Sequence, residues 1–168
     1  MTNIEIKAKY RKSDKTQRVL EKIGARFERV EMQTDTYFNV ENGKLKIRER
    51  DSGLSQLIQY FRKDDERPKP SYYEIVHLRN VKKVKETLTR EYGIRAIVRK
   101  KRDIWTWKNV RIHFDAVEDL GHFLEFEAVI EKDTDDEEGY RKLKRMMKKF
   151  GITRKDLVSH SYGDLIAE

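Results

Sequence analysis

Hydrophobic and polar residues alternate singly along much of this chain. In residues 2–10, Ile4, Ile6 and Ala8 alternate with Asn3, Glu5, Lys7 and Lys9, the period of a strand with one apolar and one polar face. The stretch 44–50 does the same with basic residues. Lys44, Lys46, Arg48 and Arg50 share one face, and Leu45 and Ile47 the other. Further strands are predicted over 34–40, 55–63, 71–78, 94–102, 109–117 and 122–131. Glu41-Asn42-Gly43, Asp51-Ser52-Gly53 and the 64–70 loop with both prolines mark breaks between them. Three stretches read instead with helical spacing. Ser13 caps a helix carrying Val19, Leu20 and Ile23 that stops at Gly24. A second fits 81–92, with Val81, Val84 and Leu88 on one stripe. The third starts on the acidic residues Asp135–Glu138, carries Leu143, Met146, Met147 and Phe150, and is followed by a short helical turn after Thr153.

Eight strands, mostly antiparallel, with helices inserted predict an α+β fold: an eight-stranded antiparallel closed barrel with helices packed outside, in one domain spanning 1–168. The apolar faces are too continuous to meet water, so the helices should cover them and the charged faces should line the barrel. That interior would hold Lys7, Lys44, Lys46, Arg48, Arg62, Lys100, Arg102 and Arg111 as cations, with Glu5, Asp115, Glu125 and Glu127 as carboxylates. Unpaired charge there is prohibitively costly, so neighbours and a ligand must neutralise it.

Composition narrows the ligand. Charged residues are 40% of the 168, hydrophobic residues 37%, and the net charge is +8, which favours an anionic partner. With no cysteine, disulfides, thiolate catalysis and Cys-ligated metals are excluded. No signal-peptide core or membrane-length apolar run is visible, so the expected location is the cytoplasm and no membrane partner is expected. Several cations call for a ligand with several negative charges, and the carboxylates call for a hard divalent ion. Mg²⁺ favours one or two carboxylates with phosphate oxygens and water, so the joint solution is a metal–polyphosphate complex. No glycine-rich phosphate loop is present, and side chains must hold the phosphates.

Several ordered segments resemble the CYTH superfamily, the triphosphate tunnel metalloenzymes, and within it the class IV adenylyl cyclases. They are Asn3-Ile4-Glu5-Ile6-Lys7, Thr34-Asp35-Thr36-Tyr37-Phe38 with Leu45-Lys46-Ile47-Arg48, and Val98-Arg99-Lys100-Lys101-Arg102. Val110 to Asp115, Leu120 to Glu127 and Ser161 to Leu165 complete the set. The resemblance implies a tunnel in which Lys7, Arg48, Arg62, Lys100 and Arg102 meet phosphates. It assigns Glu5, Asp115, Glu125 and Glu127 to Mg²⁺ or Mn²⁺. Lys7, Lys100 and Arg102 are the expected catalytic cations, with Lys44, Lys46, Arg48, Arg62 and Arg111 binding substrate. Where the family motif begins with glutamate this chain has Asn3, which brings no charge.

The expected function is metal-dependent conversion of ATP to cyclic AMP and pyrophosphate. The alternatives are a triphosphatase acting on inorganic, thiamine or nucleoside triphosphate, and a non-catalytic binder of polyphosphate or RNA. The partner is a small triphosphate, nucleic acid is not expected, and the chain would be a monomer or homodimer. His113 and His122 are read as packed strand residues rather than ligands. Trp105 and Trp107 are placed in the 103–109 connection as hairpin packing. The basic residues of the last long helix, Lys142 to Lys149, are read as its solvated back.

Overall fold

The computed structural model describes residues 2–130 and 136–168, so Glu131 and Asp135, assigned above to a strand end and a helix start, lie outside the described residues. Eight strands form a closed barrel: β1 (Thr2–Lys9), β2 (Arg26–Phe38), β3 (Lys44–Arg50), β4 (Ser55–Arg62), β5 (Lys69–His77), β6 (Ile94–Trp107), β7 (Val110–Val117) and β8 (Gly121–Ile130). Around the barrel the order is β1-β5-β4-β3-β2-β6-β7-β8, and every paired neighbour is antiparallel. β1 closes the ring, pairing with β5 on one side and with β8 from Thr2↔Ile130 to Lys9↔Phe123 on the other.

The helices are α1 (Asp14–Ile23), α2 (Val81–Tyr92), α3 (Asp136–Phe150) and α4 (Tyr162–Ala167). α1 and α3 cover the outward face of β1, β7 and β8. Ile4, Ile6, Ile112, Phe114, Leu124 and Phe126 pack there with Leu20, Leu143, Met146 and Phe150. Burying these side chains accounts for the strict alternation of those strands, because every second residue must be apolar to face the helices. The basic residues of α3 point the other way, and Lys144, Arg145, Lys148 and Lys149 are exposed.

The structure departs from the sequence reading in three places. β2 begins at Arg26 rather than at 34, and β6 runs on to Trp107, so Trp105 and Trp107 are strand residues rather than part of a connection. The two extensions pair with one another, Arg26↔Thr106 and Phe27↔Trp105, across a register shift between Phe27 and Arg29 that breaks the alternation. Pro70 lies within β5 rather than in the loop before it. Lastly, α4 is not an outer helix. Tyr162 packs with Tyr37, Ala96, Val98, Val117 and Phe123, whose side chains fill one end of the barrel, so α4 is its stopper. Gly163 permits this approach, since a Cβ there would lie 2.7 Å from the Tyr37 ring.

Candidate functional site

The inward faces enclose a cavity of about 550 Å³. Lys7, Lys46, Arg48, Arg62, Lys100, Arg102 and Arg111 line it, with Glu5, Glu125 and Glu127 among them. The alternation of β1, β3, β6 and β8 therefore does bring most of the sequence-predicted residues together.

At the stoppered end the cations gather round one carboxylate. Asp35 is fully buried; Arg48 donates to its two oxygens at 2.7 Å each, Lys46 at 2.9 Å and Lys100 at 3.2 Å. Burial alone would raise the pKa of Asp35, but Arg48, Lys100 and Lys46 outweigh it and hold the carboxyl well below its usual range. The same crowding acts on the lysines. Burial and Arg48 bring Lys46 down to about 8, and burial, with Arg102 and Arg48 nearby, pushes Lys100 well below an ordinary lysine. Three cations on one anion leave excess positive charge aimed at the cavity. Sequence reasoning gave Asp35 no role; the signal was its period-two spacing with Glu31, Gln33 and Tyr37, visible only once β2 is extended backward.

Arg102 is held by Asp115, which accepts from its Nε at 2.7 Å and Nη2 at 2.6 Å, while the Tyr162 hydroxyl donates to the same carboxylate at 2.8 Å. Asp115 is 2% exposed and does not line the cavity. Its carboxylate thus orients Arg102 and anchors the stopper. Lys44 also stands outside the cavity lining, donating to Asp164 of α4 at 2.7 Å. Glu5 pairs with Arg62 at 2.5 Å. Lys7 lies 4.0 Å from the centre of the Tyr162 ring and 3.9 Å from Glu125.

Glu125 and Glu127 lie across the cavity with His113. Glu125 is 3.7 Å from Arg102, and Glu127 is 3.0 Å from Arg111. Burial drives the Glu127 carboxyl up, and the negative Glu125 beside it adds to the effect against the pull of Arg111. Glu125, nearer Arg102 and Lys7, stays ionised well below its usual range despite burial. Burial and Arg102 keep His113 neutral, well below an ordinary histidine. Two carboxyl groups, hydrogen-bonded to one another, and a neutral ring nitrogen form a donor set that would fit a divalent cation once Glu127 gives up its proton. His113, read from the sequence as packing, is therefore part of the charged site.

Arg111 and Arg29 are partly exposed, 39% and 58% by side chain, where the cavity meets solvent. Ile58, Ile75 and Ile104 also line the cavity, as do Gln33 and Gln56. No helix among the described residues is long and apolar enough to cross a membrane.

Comparison with known proteins agrees with this fold. A Methanocaldococcus jannaschii protein named "Putative adenylate cyclase MJ0240" is 25% identical, with 98% of each chain covered. The PH1012 protein of Pyrococcus horikoshii OT3 has the same fold, with a TM-score of 0.86 at 24% identity over 98% of this chain and 99% of that one. So does a Hippeastrum protein, described as a putative adenylyl cyclase with a dominant triphosphatase activity. Its TM-score is 0.64 at 16% identity, over 98% of this chain and 94% of that one. The family model for the CYTH domain matches residues 1–162, and the chain belongs to the CYTH domain family.

Proposed function

We propose that the protein is a metal-dependent enzyme acting on a nucleoside triphosphate, with the adenylyl cyclase reaction first: the ribose 3′-oxygen attacks the α-phosphorus, the bond to the bridging oxygen breaks, and pyrophosphate leaves. The observation that carries this reading is the mixed lining of the cavity. Beside its cations, Ile58, Ile75 and Ile104 with Gln33 and Gln56 offer apolar and amide surface that a bare triphosphate does not need. About 550 Å³ is a volume suited to a small organic ligand rather than to an inorganic anion alone.

Lys46, Arg48 and Lys100 would receive the terminal phosphates, their shared Asp35 keeping them in place before substrate arrives. Arg102, fixed in orientation by Asp115, would meet charge developing on the leaving pyrophosphate. Arg62 and Lys7 complete the grip from the other wall. Glu125, Glu127 and His113 would hold the divalent ion, with Glu5 beside them once a phosphate competes for Arg62. The ion's contribution is neutralisation of phosphate oxygens and their alignment. Binding geometry and electrostatics, rather than a dedicated nucleophile on the protein, would supply the catalysis.

A triphosphatase is the second reading, favoured by the same cation cluster, which would grip the terminal phosphate of any triphosphate whatever is attached at the other end. Chromatography of products from ATP and, separately, inorganic triphosphate with Mg²⁺ or Mn²⁺ distinguishes them. Cyclic AMP with pyrophosphate supports the first reading. Orthophosphate with a diphosphate replaces it by the second, and binding without any product leaves a non-catalytic polyphosphate binder. Lys100→Ala should abolish turnover in either enzyme.

A further inference from the structure

Among the described residues, the carboxylates of Glu125 and Glu127 and a ring nitrogen of His113 bring ligand atoms within 4.8 Å of one another. His113 Nδ1 lies 4.0 Å from Glu125 Oε1 and 3.9 Å from Glu127 Oε1. Those distances are too long for hydrogen bonds, and Nδ1 has no hydrogen-bond partner although His113 is only 5% exposed. A buried ring nitrogen aimed between two carboxylates and touching neither leaves room for something between them. An ion with ligand bonds of about 2.1 Å bridges groups about 3 to 4 Å apart. Asn3 does not compete for this role. In the amide orientation that satisfies both its atoms, its oxygen accepts from Arg111 at 3.0 Å and its nitrogen donates to the Thr2 carbonyl at 3.1 Å.

We infer that His113 is a nitrogen ligand of a divalent-cation site completed by Glu125 and Glu127, and that the site therefore selects an ion that accepts imidazole, such as Mn²⁺ or Co²⁺, over Mg²⁺. The selectivity follows from ligand chemistry: Mg²⁺ takes oxygen donors and holds its waters, whereas an imidazole added to carboxylates favours first-row transition ions, least for Mn²⁺ and more for Co²⁺. This deepens the proposed function, because it rests on the cavity holding a divalent ion, but it does not depend on which triphosphate reaction follows.

Pulsed electron paramagnetic resonance of Mn²⁺ bound to tag-free protein reads the ligand directly, without turnover. One imidazole should appear as ¹⁴N modulation that changes to the ¹⁵N pattern when histidine is ¹⁵N-labelled. The chain has 4 histidines, so replacing His77, His122 and His160 together by Gln leaves His113 alone, and the modulation should persist. His113→Gln should remove it and weaken Mn²⁺ binding about tenfold or more, since loss of a mere supporting contact already costs about 10- to 100-fold. Mg²⁺ affinity, read by competition, should change little. Should His113→Gln not fold, the labelled wild type and the triple variant still decide. Mn²⁺ binding without nitrogen modulation, or modulation lost in the triple variant, overturns the assignment. Modulation from His113 in a protein that turns over no triphosphate leaves the assignment standing and sinks the proposed function instead; no Mn²⁺ binding sinks the assignment.

Discussion

Asp35 organises three cavity-lining cations without lining the cavity itself. With Arg48, Lys46 and Lys100 all donating to a carboxylate that has no exposure, it stores electrostatic order that the cations alone would destroy by repulsion. Asp35→Asn should cost about 3 to 5 kcal/mol in chemical denaturation, the usual penalty for leaving buried charge unpaired. Its lowered pKa gives the matching pH dependence: the stabilisation is present above the ordinary aspartate pKa and lost as pH falls below it. Lys46 titrates within reach of ordinary buffers. Its pKa of about 8 in the fold lies below the unfolded value, so between the two the unfolded chain binds more protons and this residue's contribution to stability rises with pH. Triphosphate binding, under the proposed function, should have the opposite slope there, because the anion would need the charged amine. Affinity for a non-hydrolysable triphosphate analogue should fall as pH passes about 8, and Lys46→Met should weaken binding and flatten that fall. Titration calorimetry in two buffers of different ionisation enthalpy checks both, through the proton taken up on binding.

At the scale of elements, the strands were legible and their ends less so. β1, β3, β7 and β8 each bury one face under helices or neighbours and point charge inward, so simple alternation marks them. β2 and β6 run beyond the regions where that rule applies. Their extensions pair with each other; Val30 and Met32 stay exposed on β2, so no apolar period announces it, while on β6 only Trp105 and Trp107 carry the outward face into the cluster formed with α1 and α3. The small helix α4 was harder still, because six residues carry too short a pattern to reveal that one side enters the barrel. Its fit is tight. At Gly163 an added methyl would meet the Tyr37 ring at 2.7 Å, where Tyr37 is 3% exposed and cannot turn aside freely. Gly163→Ala should therefore destabilise the protein by about 1 to 3 kcal/mol, the range for overpacking, visible as a lower thermal midpoint. Because Tyr162 and Asp115 share a hydrogen bond, the loosened stopper should also lower triphosphate affinity through Arg102.

For the whole molecule, the closed barrel follows from two pieces of arithmetic that need no partner protein: eight alternating strands, and more charge on their inner faces than an open sheet would have to bury. Which charges pair, and which stay free for a ligand, did not follow. Asp115 and Glu125 look equivalent as acidic residues on adjacent strands, yet the first is claimed by Arg102 and Tyr162 while the second faces the cavity. That distinction depends on α4, which comes from the far end of the chain. Among the described residues, α4 closes one end of the barrel, and the cavity meets solvent beside Arg111 and Arg29. A nucleotide entering phosphates first would, under the cyclase reading, leave its pyrophosphate deepest, behind the cyclic nucleotide, and departure would follow the reverse order of depth. Under the cyclase reading, pyrophosphate should inhibit competitively against ATP and cyclic AMP noncompetitively, and at saturating substrate the clearing of pyrophosphate from the cation cluster, rather than bond breaking, would set the pace of each cycle.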